Sequence, residues 1–191
     1  NTSKYNIIEC INEMKNADEY TYRHSINVSL YSMLISGWLS LSRDETRKVI
    51  QAAVLHDIGK SRIPNNILNK KGPLSTSEFE IMKEHPMLGY TICQEIPHLD
   101  DNIKKAVLMH HEREDGSGYP LGLRANSTNL YSKIISVADV YDALTSERVY
   151  KKRITPFETF HEIEKIGYSH FDTRILLTFT RNISNYYIGA D

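Results

Sequence analysis

Apolar residues along the chain recur mostly at spacings of three and four, and sustained alternation of apolar and polar positions is absent. This spacing is typical of amphipathic helices. We therefore expect an all-α fold, a compact domain of about seven to nine helices, with helix ends placed to within roughly ±2–4 residues. The predicted helices span 3–16, 20–41, 43–58, 75–84, 86–96, 99–111, 130–146, 156–166 and 171–187.

Several helix starts can be identified from their capping residues. A Ser followed three residues later by Glu forms a capping box at 42–45 and again at 75–78. Pro156 follows Thr155 as a first helical residue. Two longer irregular stretches remain, 59–74, with a short helical turn expected near Ile67, and 112–129. Long ordered loops in a compact domain are often functional.

The predicted helix at 20–41 carries two separate stripes. One stripe is apolar and has His24 at its end; it contains Val28, Tyr31, Ile35, Trp38 and Leu39. The other contains Ser25, Ser29, Ser32, Ser36 and Ser40. We interpret the serine stripe as a close-packing or solvent face, with a homodimer surface as the alternative. No charged residue lies in 25–42, but its serines indicate a buried helix and no membrane insertion.

Composition narrows the class of protein. A chain of 191 residues fits a single domain, and 23 Lys and Arg nearly cancel 24 Asp and Glu. The formal net charge of −1 does not favour a general polyanion binder such as a protein of duplex DNA or RNA. The two cysteines are too few for a disulfide framework, which favours a reduced, cytoplasmic setting, and no signal peptide is visible.

Histidine and aspartate side chains point inward from several predicted helices. A buried Asp needs a partner or a metal, and a lone inward His is mostly a hydrogen-bonded core residue. Several such residues together favour a metal site over separate core residues. Seven fall on apolar faces or helix caps: His24, His56, Asp57, His85, His110, His111 and Asp139.

Mixed imidazole and carboxylate ligands suit Fe or Mn, with Zn, Co and Ni as alternatives, whereas a structural zinc or iron–sulfur site would need a Cys cluster. Seven candidates are too many for one ion and suit two. Two divalent cations about 3.5–4 Å apart would bind a phosphate ester and lower the pKa of a bridging water toward ~7, which yields a hydroxide nucleophile.

The order of these residues closely resembles the HD-GYP family, a branch of the HD phosphohydrolase superfamily. The resemblance covers about 18–175 and includes Ile63-Pro64, 67–74 and His170-Phe171-Asp172. Its main motifs are His24, His56-Asp57-Ile58-Gly59-Lys60, His85-Pro86, His110-His111-Glu112, Asp115-Gly116-Ser117-Gly118-Tyr119-Pro120 and Val137-Ala138-Asp139-Val140-Tyr141-Asp142-Ala143-Leu144-Thr145.

The resemblance implies an all-helical phosphodiesterase that hydrolyses cyclic di-GMP to linear pGpG, and in some members on to GMP. It implies that Asp57 bridges two metals and that Lys60 contacts the scissile phosphate, both as catalytic residues. The first metal would be held by His24, His56, Asp57 and Asp139, and the second by His85, His110, His111 and the shared Asp57.

Further positions match substrate-contacting or supporting residues of the family. Substrate contacts are expected from Lys60, Tyr119, Asp142, Arg148 and Lys151. Supporting or loop roles are expected for Asp18, Glu112, Asp115, Gly118 and Pro120; Glu112 would orient a His ring or lie on the surface. Some members hold a third metal through a Glu one turn before the first His, but that position here is Tyr20, so we expect two metals.

Three alternatives remain at this stage. The first is an enzyme of the same class that acts on another cyclic dinucleotide, such as cyclic GMP-AMP, or on another nucleotide. The second is a catalytically silent module that binds a cyclic dinucleotide. The third is a helical scaffold that binds no small ligand. We expect an N-terminal helix at 1–17, a motif-bearing core at 18–175 and a C-terminal helix end at 176–191. The missing initial Met suggests a fragment that lacks an upstream sensor or receiver domain.

Overall fold

The computed structural model describes residues 6–146, 159, 162, 163, 165, 167 and 169–185. Within these residues the α-helices are α1 (Ile7–Ala17), α2 (Glu19–Trp38), α3 (Arg43–Leu55), α4 (Asn65–Leu68), α5 (Thr76–Met82), α6 (His85–Gln94), α7 (Asp101–Met109), α8 (Leu130–Thr145) and α9 (Thr173–Asn185). Two 3₁₀ helices span Ile58–Arg62 and Ala125–Ser127. The only β pairing in the described part is an isolated bridge between Asp115 and Arg124. The all-α prediction is confirmed.

Helix starts follow the capping residues closely. Ser42 caps α3 and Ser75 caps α5, each through a reciprocal capping box with the Glu three residues on. The short turn expected near Ile67 is α4. The predicted start of the first helix at residue 3 was wrong, because Asn6 is extended and is itself the N-cap of α1.

Among the helices that end earlier than predicted, α3 and α7 are followed directly by metal-ligand candidates. α3 ends at Leu55 instead of residue 58, and the backbone at Asp57 leaves the helical region with φ −99° and ψ 7°. α7 ends at Met109 instead of residue 111. The pairs His56-Asp57 and His110-His111 therefore lie on turns just beyond these helices.

The predicted helix at 156–166 falls mostly outside the described residues, although Thr159, Glu162, Ile163 and Lys165 are helical.

The serine stripe of α2 is a close-packing face. Ser25, Ser29, Ser32 and Ser36 are buried, and α2 packs against α1, α3, α8 and α9. The Ser29 and Ser36 hydroxyls donate to carbonyls of their own helix. Small side chains thus allow neighbouring helices to approach α2, which places its His24 inside the bundle.

Among the described helices, none has both the length and the apolar character that crossing a membrane requires.

A close backbone contact positions α6. The 3₁₀ helix that follows Asp57 packs on α6, and a Cβ at Gly59 would overlap the His85 carbonyl and the Gly89 amide. Glycine is therefore required at position 59 for the two segments to meet. This contact holds the first turn of α6, with His85, against the turn that carries Asp57.

Candidate metal centre

The structure brings all seven predicted ligand residues together. They form two groups, in each of which one ligand atom per residue lies within 4.8 Å of the others. The first group is His24, His56 and Asp139, and the second is Asp57, His85, His110 and His111. The residues come from α2, α6 and α8 and from the turns after α3 and α7. Side chains up to 115 positions apart in the sequence thus face one point.

Asp57 lies between the two groups. Its Oδ1 is 3.2 Å from His85 Nε2 and 3.9 Å from His110 Nε2. Its Oδ2 is 3.2 Å from His56 Nε2 and 3.9 Å from His24 Nε2. The residue is only 1% exposed. Each carboxylate oxygen therefore faces a different group, an arrangement suited to a carboxylate shared by two cations.

Backbone carbonyls fix the tautomers of three histidines. The Nδ1 atoms of His56, His85 and His110 lie 2.7, 2.8 and 2.7 Å from the carbonyl oxygens three residues earlier. A carbonyl oxygen can only accept, so each Nδ1 carries the proton and donates. In the neutral rings each Nε2 is then left with a lone pair directed into the centre.

These lone pairs face one another without a proton between them. His85 Nε2 is 3.2 Å from His110 Nε2, and both are near Asp57 Oδ1. Among the described residues, neither Asp57 Oδ1 nor His56 Nε2, both buried, has a hydrogen-bond partner. Buried acceptors this close repel one another and lack compensation for lost hydration. A cation coordinated by them would remove both costs, so the residues present fit a divalent metal.

His24 and Asp139 form the first group's charged pair. His24 Nε2 lies 3.0 Å from Asp139 Oδ1. Burial favours the neutral ring, but hydrogen bonds to Asp139 and Asp142 outweigh it and raise the pKa of His24 to about 9. Burial opposes ionisation of Asp139, yet its hydrogen bond with His24 holds its pKa well below the usual range. The group thus supplies a carboxylate, while metal coordination by His24 requires loss of its Nε2 proton.

The second group contains neutral imidazoles. Burial, followed by the proximity of other histidines, lowers the pKa of both His110 and His111 well below the usual value. Burial would raise the pKa of Asp57, but the Lys60 ammonium holds it well below the usual range. Neutral imidazoles with a carboxylate are the protonation states that metal coordination needs.

Lys60 is the cation at the edge of the centre. Its Nζ lies 2.7 Å from Asp57 Oδ2, and its side chain is 23% exposed. Burial lowers the pKa of Lys60, but Asp57 raises it more, so the net shift is upward and the amine stays charged. A partly exposed ammonium beside the buried carboxylate can meet a phosphate that approaches from solvent.

The loop that follows α7 covers the second group. The Tyr119 ring lies on His111, with ring centroids 4.6 Å apart. Burial, reinforced by Asp139 and Asp57, raises the pKa of Tyr119, so its phenol stays protonated. A Cβ at Gly118 would overlap backbone atoms of residues 111–113, so only glycine allows the loop to fold back this closely.

Glu112 has a role that the sequence did not predict. It was expected to orient a His ring or to lie on the surface, but it is 4% exposed and neither expectation holds. Its Oε1 accepts from the Leu121 amide at 2.7 Å and its Oε2 from the Leu123 amide at 2.8 Å. Glu112 therefore fixes the far side of the same loop.

Asp142 lies behind His24, and its expected contact with substrate stays a prediction. It is buried, and its Oδ2 accepts from His24 Nδ1 at 2.6 Å. Its Oδ1 accepts from Asn27 Nδ2 and Ser146 Oγ, both at 3.0 Å. Both oxygens are thus engaged inside the protein, and Asp142 orients His24. Asn27 was missed, although its place three residues after His24 on the same helix is a signal that could have found it.

Asp18, Asp115 and Pro120 belong to neither ligand group. Asp18 is the N-cap of α2 and accepts from Tyr20 and Thr21, so it acts on His24 only through the helix. Asp115 accepts from Ser117 within the loop, and Pro120 follows a cis peptide there. Arg148 and Lys151 lie outside the described residues.

Comparisons with known proteins match most of the chain. The HD domain family model matches residues 9–175. A cyclic di-GMP phosphodiesterase of Pseudomonas aeruginosa is 36% identical over 93% of this chain and 42% of its own length. One of Thermotoga maritima is 37% identical over 93% of this chain and 49% of its own length. The chain thus spans about half the length of these curated relatives.

Solved structures share the fold at low sequence identity. An HDG"Y"P protein of Bdellovibrio bacteriovorus superposes with a TM-score of 0.72 at 21% identity, over 86% of this chain and 52% of that one. At this identity the similarity concerns the fold alone.

Proposed function

Because this chain belongs to the HD domain family, we propose that it is a metal-dependent phosphodiesterase that hydrolyses cyclic di-GMP to linear pGpG. In this proposal two divalent cations, Fe or Mn, are held by the two ligand groups, with Asp57 shared between them. The relatives named cyclic di-GMP phosphodiesterases support the substrate class.

One observation supports the proposal most strongly. Buried lone pairs of Asp57, His85 and His110 face one another within 3.2–3.9 Å, and the carbonyl-bound Nδ1 atoms leave no proton to relieve them. A structural core would satisfy such atoms with donors. Here the donors are absent and the acceptors converge, which is the arrangement expected of ligands.

The protein's own groups account for binding and orientation of the phosphate. When bound, the cations supply Lewis-acid activation of the phosphodiester and of a water nucleophile. Lys60 donates to a phosphate oxygen and stabilises the charge that develops there. Asp142 holds the proton of His24 on Nδ1 and so keeps Nε2 directed at the centre. Tyr119 and its loop shield the second group from bulk water.

The test is a turnover assay of the anaerobically purified chain loaded with Mn²⁺ or Fe²⁺. Cyclic di-GMP, cyclic GMP-AMP and cyclic di-AMP are compared side by side by chromatography of the products. We expect cyclic di-GMP to be cleaved fastest, with pGpG appearing first. The Lys60→Met variant should keep its metal content and lose about 10²–10³-fold in kcat, the loss typical of removing one charge-stabilising donor.

The control variant is Lys104→Met, which removes an ammonium paired with Asp101 on α7 and outside both ligand groups. It should keep the rate of the unaltered chain. Faster cleavage of another dinucleotide would replace the substrate in the proposal. A metal-loaded chain that binds cyclic di-GMP without cleaving it would show a binding module instead.

A further inference from the structure

The Tyr20 side chain lies directly beside the metal centre without belonging to either ligand group. Tyr20 is in the first turn of α2, four residues before His24, so the two side chains share one side of the helix. Their rings are parallel to within 1°, with centroids 6.3 Å apart. The Tyr20 ring therefore lies next to His24, at the edge of the metal centre.

The Tyr20 side chain is also exposed to solvent. Tyr20 is 42% exposed, whereas His24 and Asp57 are buried. Lys60 Nζ lies 2.7 Å from Asp57 Oδ2, and the same oxygen lies 3.9 Å from Nε2 of His24, whose ring is parallel to that of Tyr20. An exposed aromatic ring and a partly exposed ammonium thus lie beside the same pair of residues, His24 and Asp57.

This pair of groups matches the two parts of a nucleotide. An ammonium binds the phosphate, and an exposed aromatic ring offers a flat apolar surface on which a base can stack. A single exposed aromatic residue is ordinary on a protein surface. Tyr20 differs from an ordinary exposed aromatic residue because it lies beside the ligand groups, as Lys60 does.

We propose that Tyr20 is a nucleobase-binding residue, on which a purine of the cyclic dinucleotide stacks while the adjoining phosphate meets Lys60. The inference rests on the proposed function and adds to it the residue that favours a substrate with bases over a bare phosphate ester. Tyr20 contributes binding energy through its ring face, so Phe should replace it and an aliphatic residue should not.

The experiment compares Tyr20→Phe and Tyr20→Leu in the metal-loaded chain. Tyr22→Leu is the matched control, because Tyr22 lies on the same helix and packs against the hydrophobic core. For each variant, KM and kcat for cyclic di-GMP and the inhibition constant of inorganic phosphate are measured, together with metal content. Inorganic phosphate has no base and reports on the metal and Lys60 part of the site alone.

We expect Tyr20→Leu to raise KM for cyclic di-GMP at least about five-fold, the lower end of the effect of losing one base–aromatic stack. The kcat should change less than about two-fold, because stacking acts equally on ground and transition states. Metal content and the phosphate inhibition constant should not change. Tyr20→Phe should restore KM to within about two-fold of the unaltered chain, and Tyr22→Leu should match that chain.

Other outcomes overturn the inference. An unchanged KM in Tyr20→Leu refutes it while leaving the phosphodiesterase proposal intact. Loss of metal, or an equal rise in the phosphate inhibition constant, shows that Tyr20 only supports His24, and this also refutes base stacking. If the unaltered metal-loaded chain neither binds nor cleaves cyclic dinucleotides, the proposed function fails and this inference fails with it.

Discussion

Replacement of Asp57 by Asn should remove both metal ions, because each of its oxygens faces a different ligand group. Oδ1 is 3.2 Å from His85 Nε2, and Oδ2 is 3.2 Å from His56 Nε2. Asn keeps the size of the side chain, so no cavity opens in the buried site. It lacks the negative charge, and its amide nitrogen cannot serve as a ligand.

The stability that the variant should lose can be calculated from the free energy of metal binding. At a metal concentration 100 times the Kd, one bound ion stabilises the folded chain by about 2.7 kcal/mol. Loss of a group that merely orients a ligand weakens binding about 10–100-fold, so loss of a shared ligand should cost at least about 100-fold. The same metal concentration then contributes only about 0.4 kcal/mol. The difference, about 2.3 kcal/mol per ion, corresponds to roughly 5–9 °C in Tm for a chain of this size.

The assay is thermal unfolding with and without Mn²⁺, combined with metal analysis after desalting. Asp139→Asn is the informative comparison, since Asp139 belongs to one group only and its loss should release one ion. Asp101→Asn is the control, because the Asp101 side chain is 79% exposed on α7. An Asp57→Asn variant that retains both ions, or that loses only one, would refute the shared carboxylate.

Three further predictions follow from the surroundings of the centre. Asn27→Leu removes an amide that donates to Asp142, and we expect Mn²⁺ titration to show weaker binding by up to about 10-fold. Gly118→Ala places a Cβ among backbone atoms, and unfolding should show a loss of about 1–3 kcal/mol together with lower turnover. Burial raises the pKa of Cys10 to about 11 and of Cys93 to about 12. Both thiols are therefore protonated at pH 8, so a disulfide reagent should titrate none in the native chain and two in denaturant, whereas rapid native reaction would contradict their burial.

Local sequence signals predicted the helices well where capping chemistry is explicit. The Ser42 and Ser75 capping boxes mark two helix starts correctly. Helix ends were less predictable: α3 and α7 end two or three residues early, although their apolar periodicity continues. Periodicity reports which side of a segment is buried, and a turn just beyond a helix can bury the same side as the helix.

The convergence of these seven residues could be predicted because burying several His and Asp side chains is costly unless they compensate one another. Their partition into two groups, with Asp57 between, came from the family resemblance and agrees with the geometry.

The supporting contacts could not be predicted from the sequence, because they depend on tertiary distances. The Asp142 carboxylate lies on the same helical side as Asp139, yet it faces His24 from behind. Glu112 follows the paired histidines in the sequence, but its side chain turns toward the backbone of the loop. Sequence spacing places a residue on a side of a helix and does not state which partner occupies the space opposite it.

The most direct test of the account is an anomalous-scattering map from crystals of the anaerobically purified chain. The account predicts two peaks about 3.5–4 Å apart. One peak should lie among His24, His56 and Asp139, the other among His85, His110 and His111, and Asp57 should contact both. A map with no peak, with one peak, or with a third peak beside Tyr20 would contradict it.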